Sequence, residues 1–484
     1  MSNIGTTIKS IQDILRKDRG VDGDAQRISQ LVWMLFLKVF DDREAEKELE
    51  DDGYKSPIPA KLRWRSWAKN PEGITGDELL DFVNGNLFKT LKELPTTGKQ
   101  GKLAAVVRAV FEDAINYMKS GTLMRQVINK LEEMDFNRSD DRHQFGDIYE
   151  KILSDLQGAG NAGEFYTPRS VTQFIVDQLD PKLGETFLDP ACGTGGFLTC
   201  AIEHVRKKYV KSQHDEENLQ SSINGVEKKQ LPHLLCVTNM MFHGIDVPSN
   251  VLHDNTLARP LRDYGPKDRV DVIGTNPPFG GMEEDGIELN FPAAFRTRET
   301  ADLFLVLLMT LLKQGGRAGL VLPDGTLFGE GVKVRIKEKL LDECNLHTIV
   351  RLPKGVFNPY TSIKTNLLFF TKGEPTKNVW FYEHPLPDGQ NNYSKSKPLR
   401  IEDFAPEKKW WGKRKENDFA WKVSIEDIKA RAYNLDIKNP RAKEDGPGDP
   451  DDLLRLYKDA EAEAAKIRDA LRDELAKALE GARG

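Results

Sequence analysis

The order of apolar and polar residues divides the chain into a helical first part, an alternating middle part and a charged end. Four early apolar residues share one helical face: Ile8, Ile11, Ile14 and Leu15. Residues 31–37 are apolar on all sides, which predicts a buried helix. A polar, proline-containing stretch over residues 51–76 interrupts the pattern, and helical spacing returns over 103–111 and 123–131. We predict a helical N-terminal domain over residues 1–140 that serves as a scaffold or docks a partner.

The middle of the chain, residues 141–375, alternates short apolar runs with helical patterns. The strand candidates are 185–188, 222–226, 270–274, 318–322, 346–352 and 366–371. Helical patterns lie between them, for example over residues 302–312 and 332–341. This alternation is typical of a doubly wound α/β sheet.

The C-terminal region changes character twice. Residues 376–449 are charged and we interpret them as an irregular extension that ends in a linker. Residues 450–484 carry apolar positions at alternating spacings of four and three: Leu453, Tyr457, Ala460, Ala464, Ile467 and Leu471. This spacing is typical of a coiled-coil seam, and a seam of this length is marginal unless it packs on something. It can pack back on its own chain, but the linker favours a partner helix.

Length and charge limit the classes of function. The 484 residues suffice for two to four domains, and 30% charged with 39% hydrophobic residues fits a globular protein. The net charge of −6 argues against a large basic surface for nucleic acid. Two basic stretches, 333–337 and 408–415, stand out. The second alternates cations with tryptophans, as grooves for nucleic-acid strands do, but a solvated turn beside buried tryptophans explains it at least as well.

The cysteine spacing suggests neither zinc binding nor disulfides, because no Cys-x-x-Cys pair occurs among the four: Cys192, Cys200, Cys236 and Cys344. We expect no metal site, and we interpret Cys192 as a small apolar filler. No signal peptide is visible, and the longest apolar run, residues 31–37, is too short to span a bilayer. We therefore expect a cytoplasmic protein that does not contact a membrane.

The first motif with candidate chemistry is Asn276-Pro277-Pro278-Phe279, directly after the strand candidate 270–274. Two prolines cannot donate to a sheet ladder, so the strand must end at a stiff turn. Such a turn would fix the Asn276 amide and the Phe279 ring at the carboxyl edge of the sheet, where ligands bind in open α/β sheets. Taken alone, the tetrapeptide is explained equally well as an ordinary proline turn.

The second motif is a glycine-rich turn, residues 189–197, between a strand candidate and an apolar helix. Its glycines allow close approach of a ligand to the backbone. Leu198 replaces the third glycine of a dinucleotide fingerprint and no Gly-Lys-Ser/Thr follows, which argues against NAD, FAD and a P-loop. Asp189 and Glu227 favour a nucleoside, because a carboxylate at the next strand end can accept both ribose hydroxyls. A solvated glutamate at a helix start is the ordinary alternative for Glu227.

In this order, the two motifs resemble those of amino-methyltransferases that use S-adenosylmethionine. Three further segments are similar to the modification subunit of type I restriction–modification systems: residues 145–150, 163–169 and 433–436. The resemblance covers most of the chain. It implies a doubly wound, mostly parallel seven-stranded sheet with one antiparallel strand, an α-helical N-terminal domain, a catalytic domain over residues 141–375 and a C-terminal helical tail.

The resemblance also implies roles for single residues. The Asn276 side-chain oxygen and the Pro277 carbonyl would accept the N–H groups of the target amine, and Phe279 would stack on the base. The implied cofactor-binding residues are Glu164, Phe165, Tyr166, Thr167, Asp189, Gly193, Thr194, Gly195, Glu227 and Asp254. Among these, Glu227 would bind the ribose and Asp254 the adenine amino group. His253 stands where the family usually has glycine.

The function that the resemblance implies is methylation of adenine N6 in double-stranded DNA, with the target base flipped out of the helix. Only about a hundred residues follow residue 372, which leaves little room for reading base edges. The resemblance therefore implies a separate specificity subunit, two modification chains for each specificity chain, and a restriction and translocase subunit.

Three alternatives remain open. The substrate can be an RNA base or a protein glutamine instead of DNA. The chain can also be an inactive cofactor-binding scaffold, although the presence of Asn276 and Phe279 argues against this. By family likeness, asparagine before the two prolines favours adenine N6 over cytosine N4.

Overall fold

The computed structural model describes residues 4–134, 149, 166–278, 281–358, 360–361, 363–387, 389–441 and 450–481. Contacts divide the chain into two units, Met1–Ile437 and Lys438–Gly484. Three stretches that carry sequence motifs or the predicted linker lie outside the described residues: 145–150 apart from Tyr149, 163–165, and 443–449.

The N-terminal helices are α1 (Ile4–Leu15), α2 (Gly23–Glu50), α3 (Trp64–Trp67), α4 (Gly76–Asp81), α5 (Phe88–Lys92), α6 (Gly101–Phe111) and α7 (Gly121–Glu132), with a π-helical turn at Phe82–Leu87. Together they form what we call the helical part. Its centre is α2, where residues 31–37 are all buried, which confirms the predicted buried helix. Trp33 on α2 meets Phe88 of α5 edge to face, with ring centroids 5.1 Å apart. Aromatic packing of this kind joins the short helices to the long one.

The first unit also contains one large sheet. Its strands are β1 (Phe187–Asp189), β2 (Ile223–Glu227), β3 (Val251–His253), β4 (Val270–Thr275), β5 (Leu312–Pro323), β6 (Cys344–Arg351), β7 (Thr365–Lys372), β8 (Asn378–Glu383) and β9 (Ala420–Ser424). They lie in the order β3-β2-β1-β4-β5-β7-β6-β8-β9. β7 is antiparallel to β5 and β6, and β9 to β8, whereas the other neighbours are parallel.

Helices flank this sheet: α8 (Arg169–Leu179), α9 (Gly196–Tyr209), α10 (Gln213–Ser222), α11 (Gln230–Phe242), α12 (Thr300–Leu311), α13 (Asp324–Phe328), α14 (Val332–Glu343), α15 (Ala405–Trp411) and α16 (Ile425–Ala430). Short 3₁₀ turns occur at Ala60–Leu62, Thr256–Ala258, Leu261–Asp263, Pro266–Asp268, Ile287–Asn290, Ala293–Phe295 and Ile401–Phe404. Two clusters of buried apolar side chains cover the two faces of the sheet.

The predicted fold class is confirmed. The first seven strands in spatial order are mostly parallel with one antiparallel member, as expected. The structure differs at β8 and β9, which extend the sheet beyond seven strands. Both lie within residues 376–449, so the interpretation of that stretch as irregular is wrong for its first part. These strands have six and five residues, which is too short for a clear period among the surrounding charges.

The strand order reverses at β1, which pairs with β2 on one side and β4 on the other. In doubly wound sheets a crevice opens at such a point beyond the carboxyl ends of the strands. Asp189, Glu227 and Asn276 end or follow β1, β2 and β4. The topology therefore brings the candidate residues to one place.

The second unit contains α17 (Pro450–Gly481). Four of its seam residues are exposed apolar side chains: Leu453, Tyr457, Ile467 and Leu471. Over the described part of the chain, no helix combines the length and the apolar character needed to cross a membrane.

Candidate active site

The glycine-rich turn between β1 and α9 requires glycine at two positions. Gly193 and Gly195 have φ angles of 53° and 86°, in the left-handed region that other residues adopt at a cost. A Cβ atom on Gly195 would lie 2.8 Å from the Sγ atom of Cys236, so a side chain there would also clash. The Gly195 N–H donates to the Cys192 carbonyl at 2.8 Å and closes the turn. The turn therefore presents its backbone to the crevice.

Asp189, the last residue of β1, is a buried carboxylate at the bottom of the crevice. Its Oδ1 accepts hydrogen bonds from the Ala191 N–H at 3.1 Å and from the Thr275 hydroxyl at 2.6 Å. Burial raises the pKa of Asp189 to about 7, and the neighbouring Glu227 adds to the shift. Both hydrogen bonds end on Oδ1, so Oδ2 remains for a donor in the crevice. The role of Thr275 was missed by the sequence analysis, although it directly precedes Asn276.

Glu227, the last residue of β2, joins the glycine-rich turn to the start of α11. Its two side-chain oxygens accept from the backbone N–H groups of Gly193 at 2.9 Å and Lys229 at 2.7 Å. Only 8% of the residue is exposed, and burial raises its pKa. The alternative of a solvated glutamate at a helix start is therefore wrong. Each oxygen retains a lone pair that can accept a further hydroxyl group.

Asn276 follows β4 with its amide held in one orientation. Its Nδ2 donates to the Thr167 hydroxyl at 3.0 Å. Its Oδ1 is buried, and among the described residues no donor reaches it. A buried carbonyl without a donor costs about 1–3 kcal/mol, so such atoms in a native protein call for an explanation. A donor on a bound substrate supplies one.

These groups surround one cavity of about 290 Å³. Of the candidate residues, the cavity is lined by Thr167, Asp189, Gly193, Thr194, Glu227 and Asn276. It is also lined by residues that sequence reasoning missed: Lys228, Lys229, Met282, Glu283, Glu284 and Thr300. Apart from Thr300, the first residue of α12, the missed residues lie in charged loops without a periodic pattern, and only their closeness to Glu227 or Asn276 in the sequence could have indicated them.

Other candidate residues lie away from the cavity wall. Tyr166 is half-buried and packs against the main apolar cluster. The Asp254 N–H donates to the Glu227 carbonyl at 3.0 Å, but its carboxylate is exposed and accepts from its neighbour Asn255. Pro277 is buried behind Asn276. Glu164, Phe165 and Phe279 lie outside the described residues, so their predicted roles stay predictions.

An ion-paired contact crosses the rim of the cavity. The Lys228 ammonium lies 3.5 Å from a Glu283 carboxylate oxygen and 3.1 Å from one of Glu284. The Thr300 hydroxyl donates to Glu283 at 3.1 Å. These contacts join the loop after β2 to the segment that follows Asn276, on the far side of the glycine-rich turn.

Several cations of the two basic stretches are held by other groups of the chain. Lys333 pairs with Glu299 and Asp302, and the Lys337 ammonium donates to two carbonyl oxygens of the chain. In the other stretch, the Arg414 guanidinium stacks on the Trp411 ring at 4.9 Å. Trp410 is buried and donates its indole N–H to the Lys415 carbonyl. Trp410, Trp411 and Arg414 thus pack on one another, as the second interpretation proposed. The lysines of this segment at positions 409, 413 and 415 are exposed.

All four cysteines are buried and free. Cys192 lies against Cys236, with the two sulfur atoms 3.7 Å apart, and this contact together with burial holds its pKa well above the usual range. The thiol therefore stays protonated, in agreement with a filler role. Within the described ranges, no group of three or more histidine, cysteine or acidic side chains could hold a metal ion.

Comparisons with known proteins cover almost the whole chain. Residues 140–447 match the family described as N-6 DNA Methylase, and residues 4–131 match the HsdM N-terminal domain. The chain is 63% identical to the type I restriction enzyme EcoEI methylase subunit of Escherichia coli, covering 100% of this chain and 99% of that protein. It is 29% identical to the EcoKI methylase subunit of Escherichia coli strain K12, over 80% and 72% of the two chains.

A solved structure agrees with this match. It comes from work on complex assembly and conformational transition of the type I R-M system, and it superposes with a TM-score of 0.82 at 36% identity. The superposition covers 98% of this chain and 99% of the other. The similarity therefore extends over both units of the sequence and is not confined to the α/β sheet.

Proposed function

The chain belongs to the N-6 DNA methylase family as a type I restriction enzyme methylase subunit, and from this premise we propose that it methylates the N6 amino group of adenine in DNA with S-adenosylmethionine as donor. The observation that carries the proposal is the buried Oδ1 of Asn276 on the wall of the cavity, which no donor reaches among the residues that the structure describes. The same cavity contains the carboxylates of Asp189 and Glu227. Asn276 thus offers an acceptor for a substrate amine, and the carboxylates of Asp189 and Glu227 suit a cationic nucleoside.

The residues of the cavity fit S-adenosylmethionine. Glu227 can accept the ribose hydroxyls while it still holds the turn through Gly193. Asp189 Oδ2 can accept from the ammonium group of the methionine end. The positive φ angles of Gly193 and Gly195 keep the turn open to close approach. When bound, the cofactor supplies a methyl group on a sulfonium centre that is already activated.

The chain's own groups then have to orient the target amine. Asn276 Oδ1 accepts one N–H group and turns the nitrogen lone pair toward the methyl group. The second acceptor, which only the family resemblance implies, is the carbonyl of Pro277, a residue that does not line the cavity. An amide suits this position better than a carboxylate, because a buried unpaired charge is costly. Asn276 needs no proton-accepting role, since alignment of the reacting atoms supplies most of the catalysis. The cavity is a recess, so a base of duplex DNA has to be flipped out to reach it.

The choice of DNA site lies, in this proposal, on a separate specificity subunit, with two modification chains for each specificity chain and a restriction and translocase subunit. The net charge of −6 supports this division, and Lys333 and Arg414 of the basic stretches are engaged within the chain. The family match favours DNA over the RNA and protein-glutamine alternatives.

The purified chain alone is expected to methylate DNA at less than about a tenth of the rate of the chain with its specificity subunit, because non-specific contacts without a basic face give weak binding. Incorporation of labelled methyl groups into DNA measures the rate, and mapping of modified adenines gives the site. The Asn276→Ala variant with the same subunit is the control for background. Sequence-selective methylation by the chain alone would overturn the division of labour.

The seam of α17 is expected to bind a helix of a partner subunit. The double substitution Tyr457→Ser with Ile467→Ser removes two exposed apolar side chains of the seam. We expect at least about a tenfold weaker complex with the specificity subunit, because each buried large apolar side chain contributes about 1.5–3 kcal/mol. Binding can be measured by sedimentation or surface-based titration.

The matched control is Lys466→Ser with Asp469→Ser, which changes the opposite face of the same helix and leaves the seam intact. Affinity for S-adenosylhomocysteine should stay unchanged in both double variants. Wild-type complex formation by the Tyr457→Ser, Ile467→Ser chain would exclude the seam as a docking surface.

A further inference from the structure

The helical part contacts the α/β sheet domain at α11, the helix that starts three residues after Glu227. The Gln230 side-chain amide, at the first residue of α11, donates to the carbonyl oxygens of Val110 and Ala109 near the end of α6. The last carbonyls of a helix have no partner within the helix, so Gln230 satisfies groups that would otherwise be unpaired. The carboxyl end of α6 therefore meets the amino end of α11, an arrangement that the helix dipoles also favour.

A second contact lies beside the first and reaches β3. Glu112, directly after α6, places a carboxylate oxygen 3.6 Å from the His253 ring at the end of β3. The His253 ring stacks on His233 of α11 at 5.1 Å, and His233 in turn contacts the Val251 carbonyl at 3.2 Å. The end of α6 thus holds two neighbouring segments of the sheet domain, one at the start of α11 and one at the end of β3.

Both held segments adjoin the nucleoside end of the cavity. Lys229, next to Gln230, donates its N–H to the Glu227 carboxylate at 2.7 Å. Asp254, next to His253, donates its N–H to the Glu227 carbonyl at 3.0 Å. Lys229 and Asp254 thus hold Glu227 through their backbone N–H groups. The chain neighbour of each, Gln230 or His253, contacts the helical part.

A third contact between the same parts lies at the other end of α11. Arg43 of α2 donates to the carbonyl oxygens of Met241 and Ile245. Met241 is eleven residues along α11 from Gln230, which corresponds to about 16 Å at 1.5 Å per residue. Arg43 therefore supports the interface without touching the segments beside Glu227.

We propose that Gln230 and His253 are positioning residues through which docking of α6 sets the affinity for the cofactor. The helical part is then a component of the cofactor site as well as a scaffold. Displacement of α6 from α11 frees the Lys229 and Asp254 segments and loosens the hold on Glu227. The inference rests on the proposed function only for the identity of the cofactor.

The test compares binding of S-adenosylhomocysteine to the full chain, by calorimetry and without DNA. Gln230→Met removes the donor at similar side-chain length, and we expect affinity to fall about five- to tenfold. Gln230→Lys restores a donor for the α6 carbonyls and should keep affinity within about threefold of wild type. Glu112→Gln changes an exposed side chain with little risk to folding, and should lower affinity about two- to threefold.

Arg43→Met is the matched control, because it removes hydrogen bonds from the same interface at the distant end of α11. We expect a lower melting temperature with affinity within about twofold of wild type. At saturating cofactor, Gln230→Met should retain the wild-type kcat of the assembled enzyme while KM for the cofactor rises.

Wild-type affinity in Gln230→Met, or an equal loss in Arg43→Met, would overturn the coupling. A wild-type chain that binds no S-adenosylhomocysteine would instead overturn the proposed function. The two failures are therefore distinguishable in one set of titrations.

Discussion

Replacement of Asn276 by alanine should reduce the rate of methyl transfer about 10²–10³-fold or more while the affinity for S-adenosylmethionine stays within about twofold of wild type. The Oδ1 atom is a buried acceptor that no donor reaches among the described residues, and it lies on the wall of the cavity, so it can hold a substrate N–H. Its loss leaves the amine without one of the two acceptors that turn its lone pair toward the methyl group. The carboxylates of Asp189 and Glu227, which we propose bind the cofactor, are not held by Asn276 and keep their contacts.

Single-turnover rates at saturating cofactor, with the specificity subunit present, measure the chemical step, and calorimetry measures cofactor affinity. Thr167→Val removes the hydroxyl that accepts from Asn276 Nδ2 but leaves Oδ1 in place, and should cost less than Asn276→Ala. Asn250→Ala is a control for the loss of an asparagine, because Asn250 donates to the Ser221 carbonyl outside the cavity. Equal losses of rate and cofactor affinity in Asn276→Ala would assign that residue a role in folding instead.

The sequence predicted the central strands and the buried helix α2 because these elements are long enough for their period to show. β5 and β7 have twelve and eight residues, and the run 31–37 is apolar throughout. β3 has three residues and β9 five, and no period can be recognised at such lengths; β1 and β2 are as short, but the motif residues Asp189 and Glu227 at their ends indicated them. These edge strands form because a longer neighbour offers unpaired backbone groups, which is information about the fold and not about the local sequence.

The residues of the site also divide into those that the sequence could predict and those that it could not. Asp189, Glu227 and Asn276 could be predicted because each ends or follows a strand, and the carboxyl ends of β1, β2 and β4 meet at the reversal of strand order. Lys228 and Glu283 could not, since they are charged loop residues whose pairing depends on how two loops approach. Asp254 follows β3, which was not among the predicted strands, and one of its carboxylate oxygens accepts from the Asn255 N–H, so its predicted role with the cofactor adenine stays a prediction.

The buried state of Asp189 predicts a second large effect, on the pH dependence of cofactor binding. In the cofactor-free protein burial raises the pKa of this carboxyl from 3.8 to about 7, so it is largely protonated below pH 7. A cationic ammonium group favours the ionised form, and its binding below pH 7 must release the proton. Affinity should therefore rise about tenfold between pH 5.5 and 7, a range in which an α-amino group with pKa of about 8 stays charged.

Asp189→Asn isolates the charge. Both supporting hydrogen bonds end on Oδ1, so the amide oxygen can keep the contacts with Ala191 and Thr275 while Oδ2 becomes an uncharged NH₂ group. At pH 7 we expect affinity for S-adenosylmethionine to fall about 10–100-fold, the range of a charge-assisted contact of about 1.5–3 kcal/mol. The part of the pH dependence centred near pH 7 should disappear. Glu227, whose pKa burial also raises, accounts for any slope that remains.

Asp189→Asn should weaken cofactor binding but raise the stability of the cofactor-free protein above pH 7. A carboxyl whose pKa is raised on folding opposes folding once it ionises, so its penalty grows as pH rises from 3.8 toward 7 and is complete above pH 7. Asp189→Asn removes that penalty, and the variant should melt at a higher temperature than wild type at pH 8 and at a similar one near pH 4. Lower stability of the variant at pH 8 would mean that the Asp189 charge is compensated in the empty site. If the Asp189 carboxylate is uncompensated in the cofactor-free protein and pairs with the cation of the cofactor, then Asp189→Asn must both bind S-adenosylmethionine more weakly and melt at a higher temperature at pH 8.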